Sequence, residues 1–289
     1  MSKIIVIGDS IIDSYLYGHI TRNNPENSYG HIIQYDHEEL KLGGALSVSF
    51  IISCFDQKSF VYTAVGDDYY DFVKEQLDLN NIRYCLEPVR NTTTKIRLVT
   101  ENCLCKNRLD RDFENNCQFL FSNVYINSDD IIVIQDYGKG FCSDKLMNFL
   151  YSFNNKIIVD PYINSDWNKY PHPFLIKCNR KEAEKATNNE CGIPEMLKIL
   201  SLKHQCSIVI TDGENGMFLY DKNKCDWDWI APKKAKVKDV CGAGDTVLAT
   251  IATGIAKDIN LFNCCSLASL TASEQIQTIG INKVQNCFI

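Results

Sequence analysis

Seven short runs of apolar, largely β-branched residues recur along this chain with helix-length stretches between them, and that rhythm limits the possible folds more than any other feature. The runs are KIIVIG (3–8), SFVYTAVG (59–66), DIIVIQD (130–136), KIIVD (156–160), PFLIKCN (173–179), SIVITDG (207–213) and GMFLYD (216–221). Between them, residues 44–55, 67–79, 143–153, 180–187 and 193–203 read as helices. Strands that are apolar throughout must be buried on both faces. The order therefore predicts an α/β fold, a three-layer sandwich whose mostly parallel central sheet is covered by helices on each side.

Two stretches break the rhythm. Residues 14–41 and 83–112 alternate apolar and polar side chains, as in SYLYGHI, HIIQYDHEEL and TTTKIRLVT. Alternation of that kind marks half-buried strands with one wet face. We expect these two insertions to form a small β-sheet lid over one edge of the main sheet. No repeat, proline-rich linker or low-complexity tract divides the chain, so residues 1–289 are expected to be one domain with a lid.

Composition excludes several function classes. With 30 basic and 36 acidic residues the net charge is −6, so nothing draws the chain to nucleic acid or anionic membranes. An anionic ligand must instead be held by local groups. The apolar N-terminal run is too short to span a bilayer and is interrupted by Gly8, Asp9 and Asp13, which points to a core strand and a cytoplasmic protein. Fourteen cysteines raise the question of disulfides or metal. Cys103 and Cys105 are too closely spaced for a usual zinc knuckle, Cys264 and Cys265 are adjacent, and no CxxC occurs. Reduced, mostly buried thiols are expected.

The stretch DVCGAGDT (239–246) carries the strongest chemical signal. Gly242, Ala243 and Gly244 are small enough for their N–H groups to approach an anion, and a helix is expected to start there. Asp245 would sit in that helix's first turn, beside the anion hole, where a carboxylate can accept a hydroxyl proton. The plainer alternative is a tight turn with Asp245 as a helix cap.

Other turns follow strands in the same way. TDGENG (211–216) places Thr211, Gly213 and Gly216 where nucleotide phosphates could be met, or where a simple hairpin could turn. NRKE (179–182) sets Asn179 and Glu182 three apart, suited to orienting a hydrated Mg²⁺ or to capping a helix. Asp9, Asp13 and the glycines of LGGALSVSF (42–50) could meet polyol hydroxyls or could be ordinary turn chemistry. Lys95 and Arg97 project to one face of an expected strand, Arg108 lies on its return strand, and Lys139 follows the strand ending near Asp136. Cations gathered in an acidic protein suit a phosphorylated sugar; they would otherwise pair with Glu101, Asp110 or Asp112.

The succession GD…D, GGA, TKxR, DYxKG, DP, NxxE, TxGxxG and DVxGAGDT, running along nearly the whole chain, resembles the ribokinase family, also called the PfkB sugar kinases. YGHITRNNPEN (17–27), TTTKIRLV (92–99), RLDRDFE (108–114) and QDYGKG (135–140) are similar to the subgroup that phosphorylates D-glycero-D-manno-heptose 7-phosphate at O1. The resemblance implies a ribokinase-like fold and ATP with Mg²⁺. It implies Asp245 as catalytic base and Gly242, Ala243 and Gly244 as the anion hole. Thr211, Gly213 and Gly216 would meet ATP phosphates, and Asn179 with Glu182 would help hold Mg²⁺. Asp13, Gly43, Gly44, Ser47 and Asp136 would lie on the sugar side. Asp239 matches a position that in some relatives contributes to a monovalent-cation site, so K⁺ is a further expectation. A homodimer joined through the lid is also implied.

Three departures bear on specificity. Ser47 stands where the family usually has Asn in GGAAN, Tyr162 stands where heptose kinases usually have the lysine of DPK, and the chain ends at Ile289, so the nucleotidyltransferase domain of bifunctional relatives is not expected. A PfkB kinase of ribose, fructose or a nucleoside such as adenosine, or a binding protein that kept the fold without catalysis, remain alternatives.

Overall fold

The structure, a computed structural model, describes residues 2–27, 30–101, 103–114, 117, 124–188 and 191–288. Its main sheet contains β1 (Ile4–Gly8), β4 (Ser59–Gly66), β5 (Arg83–Val89), β8 (Ile131–Gln135), β9 (Lys156–Asp160), β10 (Leu175–Asn179), β11 (Ser207–Thr211), β12 (Met217–Asp221) and β13 (Asp226–Ile230). The spatial order is β13-β12-β11-β10-β9-β8-β1-β4-β5. Strands β5 to β11 of that order are parallel to their neighbours, while β12 turns back on β11 and β13 on β12.

Every residue of β1 and β8 is buried, as continuous apolar runs require. Side-chain alternation then sends successive residues to opposite layers. Ile4 and Val6 pack with α1 (Ala45–Cys54), α2 (Tyr70–Leu79), α6 (Ala243–Ala256) and α7 (Leu261–Gln275). Ile5 and Ile7 pack on the other face with α3 (Asp144–Leu150), α4 (Arg180–Thr187) and α5 (Ile193–His204). The result is the expected three-layer α/β/α arrangement. No described helix is long and apolar enough to cross a membrane.

A second sheet has the order β3-β2-β6-β7, from β2 (Ser10–Asn23), β3 (His31–Gly44), β6 (Thr94–Thr100) and β7 (Cys103–Arg111). Its hairpin strands are longer than the 14–41 expected for them. The first six residues of β2 are buried and its last five exposed, so the sheet is rooted in the core and projects outward. One expectation needs correction. Residues 83–89, assigned from sequence to the small sheet, form β5 at the edge of the main sheet, paired with β4. An edge strand has one partner and a partly wet surface, so it shows the same alternation as a half-buried lid strand. Glu87 within it is buried and accepts from Tyr62 Oη at 2.6 Å.

The carboxyl ends of the parallel strands fall in line. Gly8 pairs with Gln135 and Gln135 with Asp160, while Asn179 pairs with Thr211. Groups distant in sequence are thereby delivered to one edge, where open α/β sheets bind ligands.

Candidate active site

Gly242 caps the N-terminus of α6 with a left-handed backbone, φ 74°, and a Cβ at this position would run into the Ile281 side chain. Glycine is therefore required here. It turns the chain so that α6 begins at Ala243 and presents its first-turn N–H groups, which have no intrahelical partners, along the carboxyl edge of the sheet.

Asp245 is the third residue of α6 and is 5% exposed. Its Oδ2 accepts from Ser47 Oγ at 2.5 Å, and its Oδ1 accepts from Tyr137 Oη at 3.0 Å and from Gln135 Nε2 at 3.4 Å. Burial raises the carboxyl's pKa above the ordinary aspartate value, and the Asp160 charge adds to that; the Ser47 and Tyr137 hydroxyls and the Lys177 ammonium oppose it. Tyr137 is itself pushed well above the normal phenol value by burial and by the Asp245 charge, so it stays a donor.

The loop that carries Tyr137 is pinned from beneath. Asp9 accepts the backbone N–H groups of Tyr137 at 2.8 Å, Lys139 at 3.0 Å and Phe141 at 3.0 Å. Burial, then the Asp136 charge, brings the Asp9 carboxyl up to about 6. Asp136, expected on the sugar side, is committed elsewhere: it accepts from Gly138 N at 2.7 Å and Tyr170 Oη at 2.9 Å and pairs with Lys169 at 2.6 Å.

On one side of Asp245 lies a cavity of about 610 Å³, in the size range of cofactor and small-molecule sites. Thr211, Gly213 and Gly216 line it from the turn after β11, and Ala243 and Gly244 from α6. Asn179 and Glu182 form a full capping box at the start of α4: Glu182 N donates to Asn179 Oδ1 at 3.0 Å and Asn179 N to Glu182 Oε2 at 2.7 Å. The plain reading of NRKE is thus realised in the geometry. Burial and the Asp160 charge nevertheless raise the Glu182 carboxyl.

On the other side are the expected sugar groups. Gly43, next to last in β3, lies so close to Asp13 that a Cβ would stand 2.7 Å from Asp13 Oδ2, and Gly44 ends β3 and caps α1. Asp13 pairs with Arg97 at 2.5 Å, and Arg97 lies over the Tyr15 ring at 5.3 Å. Lys95 lies over the Tyr137 ring at 4.7 Å, one side chain away from Asp245. Arg108 is engaged bidentately by Asp110 at 2.6 and 2.7 Å, and Lys139 by Asp112 at 2.7 Å. Asp239 is buried and accepts from Tyr15 Oη, Cys241 N and Gly280 N. The cysteines whose side chains are described, Cys103 and Cys105 not among them, are free thiols; burial lifts Cys241, beside Asp13, to about 12.

Sequence reasoning missed four side chains that this arrangement makes prominent: Gln135, Tyr137, Asp160 and Lys177. Lys177 and Asp160 form a buried ion pair at 2.7 Å. Burial alone would lower the Lys177 pKa, but the charges of Asp160 and Glu182 outweigh it and hold the ammonium above the normal lysine value. A lysine inside an otherwise apolar strand is the one signal that pointed to it.

The pfkB family carbohydrate kinase description matches residues 1–286. The chain belongs to that family. It is accordingly an ATP-dependent sugar kinase. It is similar to the bifunctional protein HldE of Helicobacter hepaticus, 32% identical over 96% of this chain and 61% of that protein. The same-named protein of Campylobacter jejuni subsp. jejuni serotype O:2 is 31% identical over 96% of this chain and 62% of its own. The chain thus spans about three-fifths of the length of these curated relatives. In fold it is similar to phosphofructokinase-2 from Escherichia coli in complex with substrates and products, with TM-score 0.81 and 15% identity over 99% of this chain and 96% of that one. Ribokinase from Thermotoga maritima gives TM-score 0.76 at 17% identity over 97% and 95%.

In a pfkB kinase a carboxylate can take up a hydroxyl proton only when ionised, so loss of activity on acidification reports its pKa. If Asp245 is the group whose ionisation activity requires, its raised pKa puts the acid limb of kcat/KM above the ordinary aspartate range. Removing a donor that favours the ionised form raises the pKa further. Ser47→Ala and Tyr137→Phe should each move the acid limb to higher pH; a pH–rate profile unmoved in both would mean that these hydroxyls do not hold the reacting carboxylate.

Proposed function

We propose that the chain transfers the γ-phosphoryl group of ATP to O1 of D-glycero-D-manno-heptose 7-phosphate, with Asp245 as general base. The observation that carries this reading is the place of Asp245: buried at the start of α6, between a nucleotide-sized cavity and the side chains of Asp13, Lys95 and Arg97. The motif resemblance and the HldE relatives support a heptose acceptor.

The reaction needs little covalent work from the protein, so positioning and charge stabilisation carry the rate. Asp13, fixed by Arg97, and the backbone at Gly43 and Gly44 orient the sugar. Asp245 takes the proton from the attacking hydroxyl as its oxygen bonds to phosphorus, and the bond to the bridging oxygen breaks with its electron pair leaving on ADP. The N–H groups of Gly242, the cap, and of Gly244, in the first turn of α6, face the negative charge that spreads over the transferring group, while Ala243 N donates to Val240 O at 3.3 Å. Closure of the small sheet over the sugar as a lid would exclude water from the γ-phosphorus.

The residues present suit a phosphate-bound Mg²⁺. Such an ion is held through one or two carboxylates and its own waters, and Glu182 has Oε1 uncommitted among the described hydrogen bonds while its Oε2 serves the capping box. When bound, Mg²⁺ neutralises phosphate charge; Glu182 and Asn179 would orient its waters. Asp239 fits a potassium ion poorly, because three donors already converge on it, and no step is assigned to K⁺.

The pairing of Arg108 with Asp110 and of Lys139 with Asp112 favours a second reading, a kinase of an unphosphorylated sugar or a nucleoside, because those cations are already neutralised. ADP release with a panel of heptose 7-phosphate, free heptose, ribose, fructose and adenosine separates the two. The first reading expects kcat/KM for heptose 7-phosphate to exceed that for free heptose by at least about a hundredfold, with Lys95→Ala or Arg97→Ala eroding that ratio. Equal use of both sugars would transfer the assignment to a general sugar kinase.

The outer part of the small sheet exposes Ile20 on the inner strand β2, and Tyr35 and Leu109 on its two edge strands, β3 and β7. We accordingly include a homodimer through this sheet in the reading. Light scattering at micromolar concentration should give twice the chain mass, falling toward one chain in Tyr35→Glu/Leu109→Glu; a monomeric wild type would remove the dimer.

A further inference from the structure

Asp9 is the single residue between β1, which belongs to the main sheet, and β2, which begins the small sheet. It is wholly buried, and its carboxylate is met by the backbone N–H groups of Tyr137, Lys139 and Phe141 with no cation in ion-pair distance among the described residues. A neutral side chain could turn the chain here with a far smaller desolvation penalty. The charge needs a use beyond the turn.

The two ends of the 135–141 loop are anchored without it. Gln135 is paired in the sheet with Gly8 and Asp160, and Phe141 is buried with its ring edge-on to Tyr62 at 5.1 Å. What the Asp9 carboxylate adds lies between them, at the backbone of Tyr137, whose hydroxyl donates to Asp245 Oδ1 at 3.0 Å. The main chain of Asp9 acts on the other oxygen. Its carbonyl accepts from Ala45 N at 2.9 Å and stands so near Gly44 that no Cβ would fit, which fixes the turn into α1 that Gly44 makes with φ 60°. From that turn Ser47 Oγ donates to Gly44 O at 2.7 Å and to Asp245 Oδ2 at 2.5 Å. One residue thus reaches both hydroxyls that hold the two oxygens of Asp245.

We propose that Asp9 is a positioning residue for phosphoryl transfer: through Ala45 and the Tyr137 loop it aligns the Ser47 and Tyr137 hydroxyls on Asp245, and so aims that carboxylate at the hydroxyl it deprotonates. This rests on the kinase reading above, with Asp245 as base. Asp9 itself touches neither substrate and exchanges no proton. No described residue of the 135–141 loop lines the nucleotide cavity, so a displaced loop reaches the base and leaves ATP binding alone.

Asp9→Asn keeps the backbone carbonyl and the side-chain shape but turns an NH₂ group toward the loop's donors, so it releases the Tyr137 arm alone. Steady-state kinetics and thermal melting compare wild type, Asp9→Asn, Tyr137→Phe, the double variant and Asp245→Asn, at about pH 8 so that Asp9, whose carboxyl stands at about 6, is ionised. Asp9→Asn and Tyr137→Phe should each lower kcat by about 10–10²-fold, with KM for ATP within about threefold of wild type. Once Tyr137→Phe has removed the hydroxyl to be aligned, adding Asp9→Asn should lower kcat by less than about threefold more. Equal losses in both backgrounds, or an unchanged kcat in a folded Asp9→Asn, would make Asp9 a structural brace and overturn the proposal. So would failure of both Asp9→Asn and Asp9→Ser to melt cooperatively. Wild-type turnover in Asp245→Asn would sink the base reading and the proposal with it, whereas an inactive Asp245→Asn beside equal Asp9 losses sinks the proposal alone.

Discussion

Asp245 is a carboxylate removed almost wholly from water, and the surrounding structure follows from the need to keep it satisfied there. Its donors come from separate parts of the chain: Ser47 in α1, Gln135 at the end of β8, and Tyr137 in the loop beyond. Those elements can converge only because β1, β8 and β9 end in register, with Gly8 opposite Gln135 and Gln135 opposite Asp160. Asp9, directly after β1, then fixes the Tyr137 loop through three backbone N–H groups. A helix N-terminus adds a favourable field for the negative charge. The setting of this carboxylate is thus built from the alignment of parallel strands and not from any local motif alone.

Charge is distributed around this carboxylate in short, directed pairs. Arg97 is spent on Asp13, Arg108 on Asp110, Lys139 on Asp112 and Lys177 on Asp160. An acidic chain thus carries cations near the site, each beside its own carboxylate, without gathering a broad basic surface. Lys95 differs among these, stacked on the Tyr137 ring with no carboxylate in ion-pair distance among the described residues. Because Tyr137 also donates to Asp245, the Lys95 ammonium and the Asp245 carboxylate meet on one side chain.

Much of the main sheet was legible because continuous apolar runs have few other uses: 59–66 and 156–160 coincide with β4 and β9 to the residue. The strand β13, DWDWI, was not found, since its alternating acidic residues carry no apolar run and it is held by pairing with β12. Helix α7 was not assigned because serines, threonines and cysteines dilute its apolar face, although its buried Cys264, Cys265 and Ala268 pack like any core helix. Within the site, the glycines and Asp245 were readable from spacing. Lys177, Asp160 and Tyr137 were not, because their roles arise from strands adjacent in space and distant in sequence. The partners of Asp136, Tyr170 and Lys169, were hidden for the same reason, since they lie more than thirty residues away.

The central claim is that the buried carboxylate of Asp245 is the proton acceptor, and substitution by asparagine tests it most directly because shape is kept while the charge is lost. The measurement is single-turnover and steady-state kcat of purified Asp245→Asn, with circular dichroism and thermal melting to establish that it folds as wild type does. A positioned base contributes about 10²–10⁴ in rate, so the account predicts a fall in kcat of about three orders of magnitude with nucleotide binding retained. Turnover within about tenfold of wild type in the folded variant would contradict it.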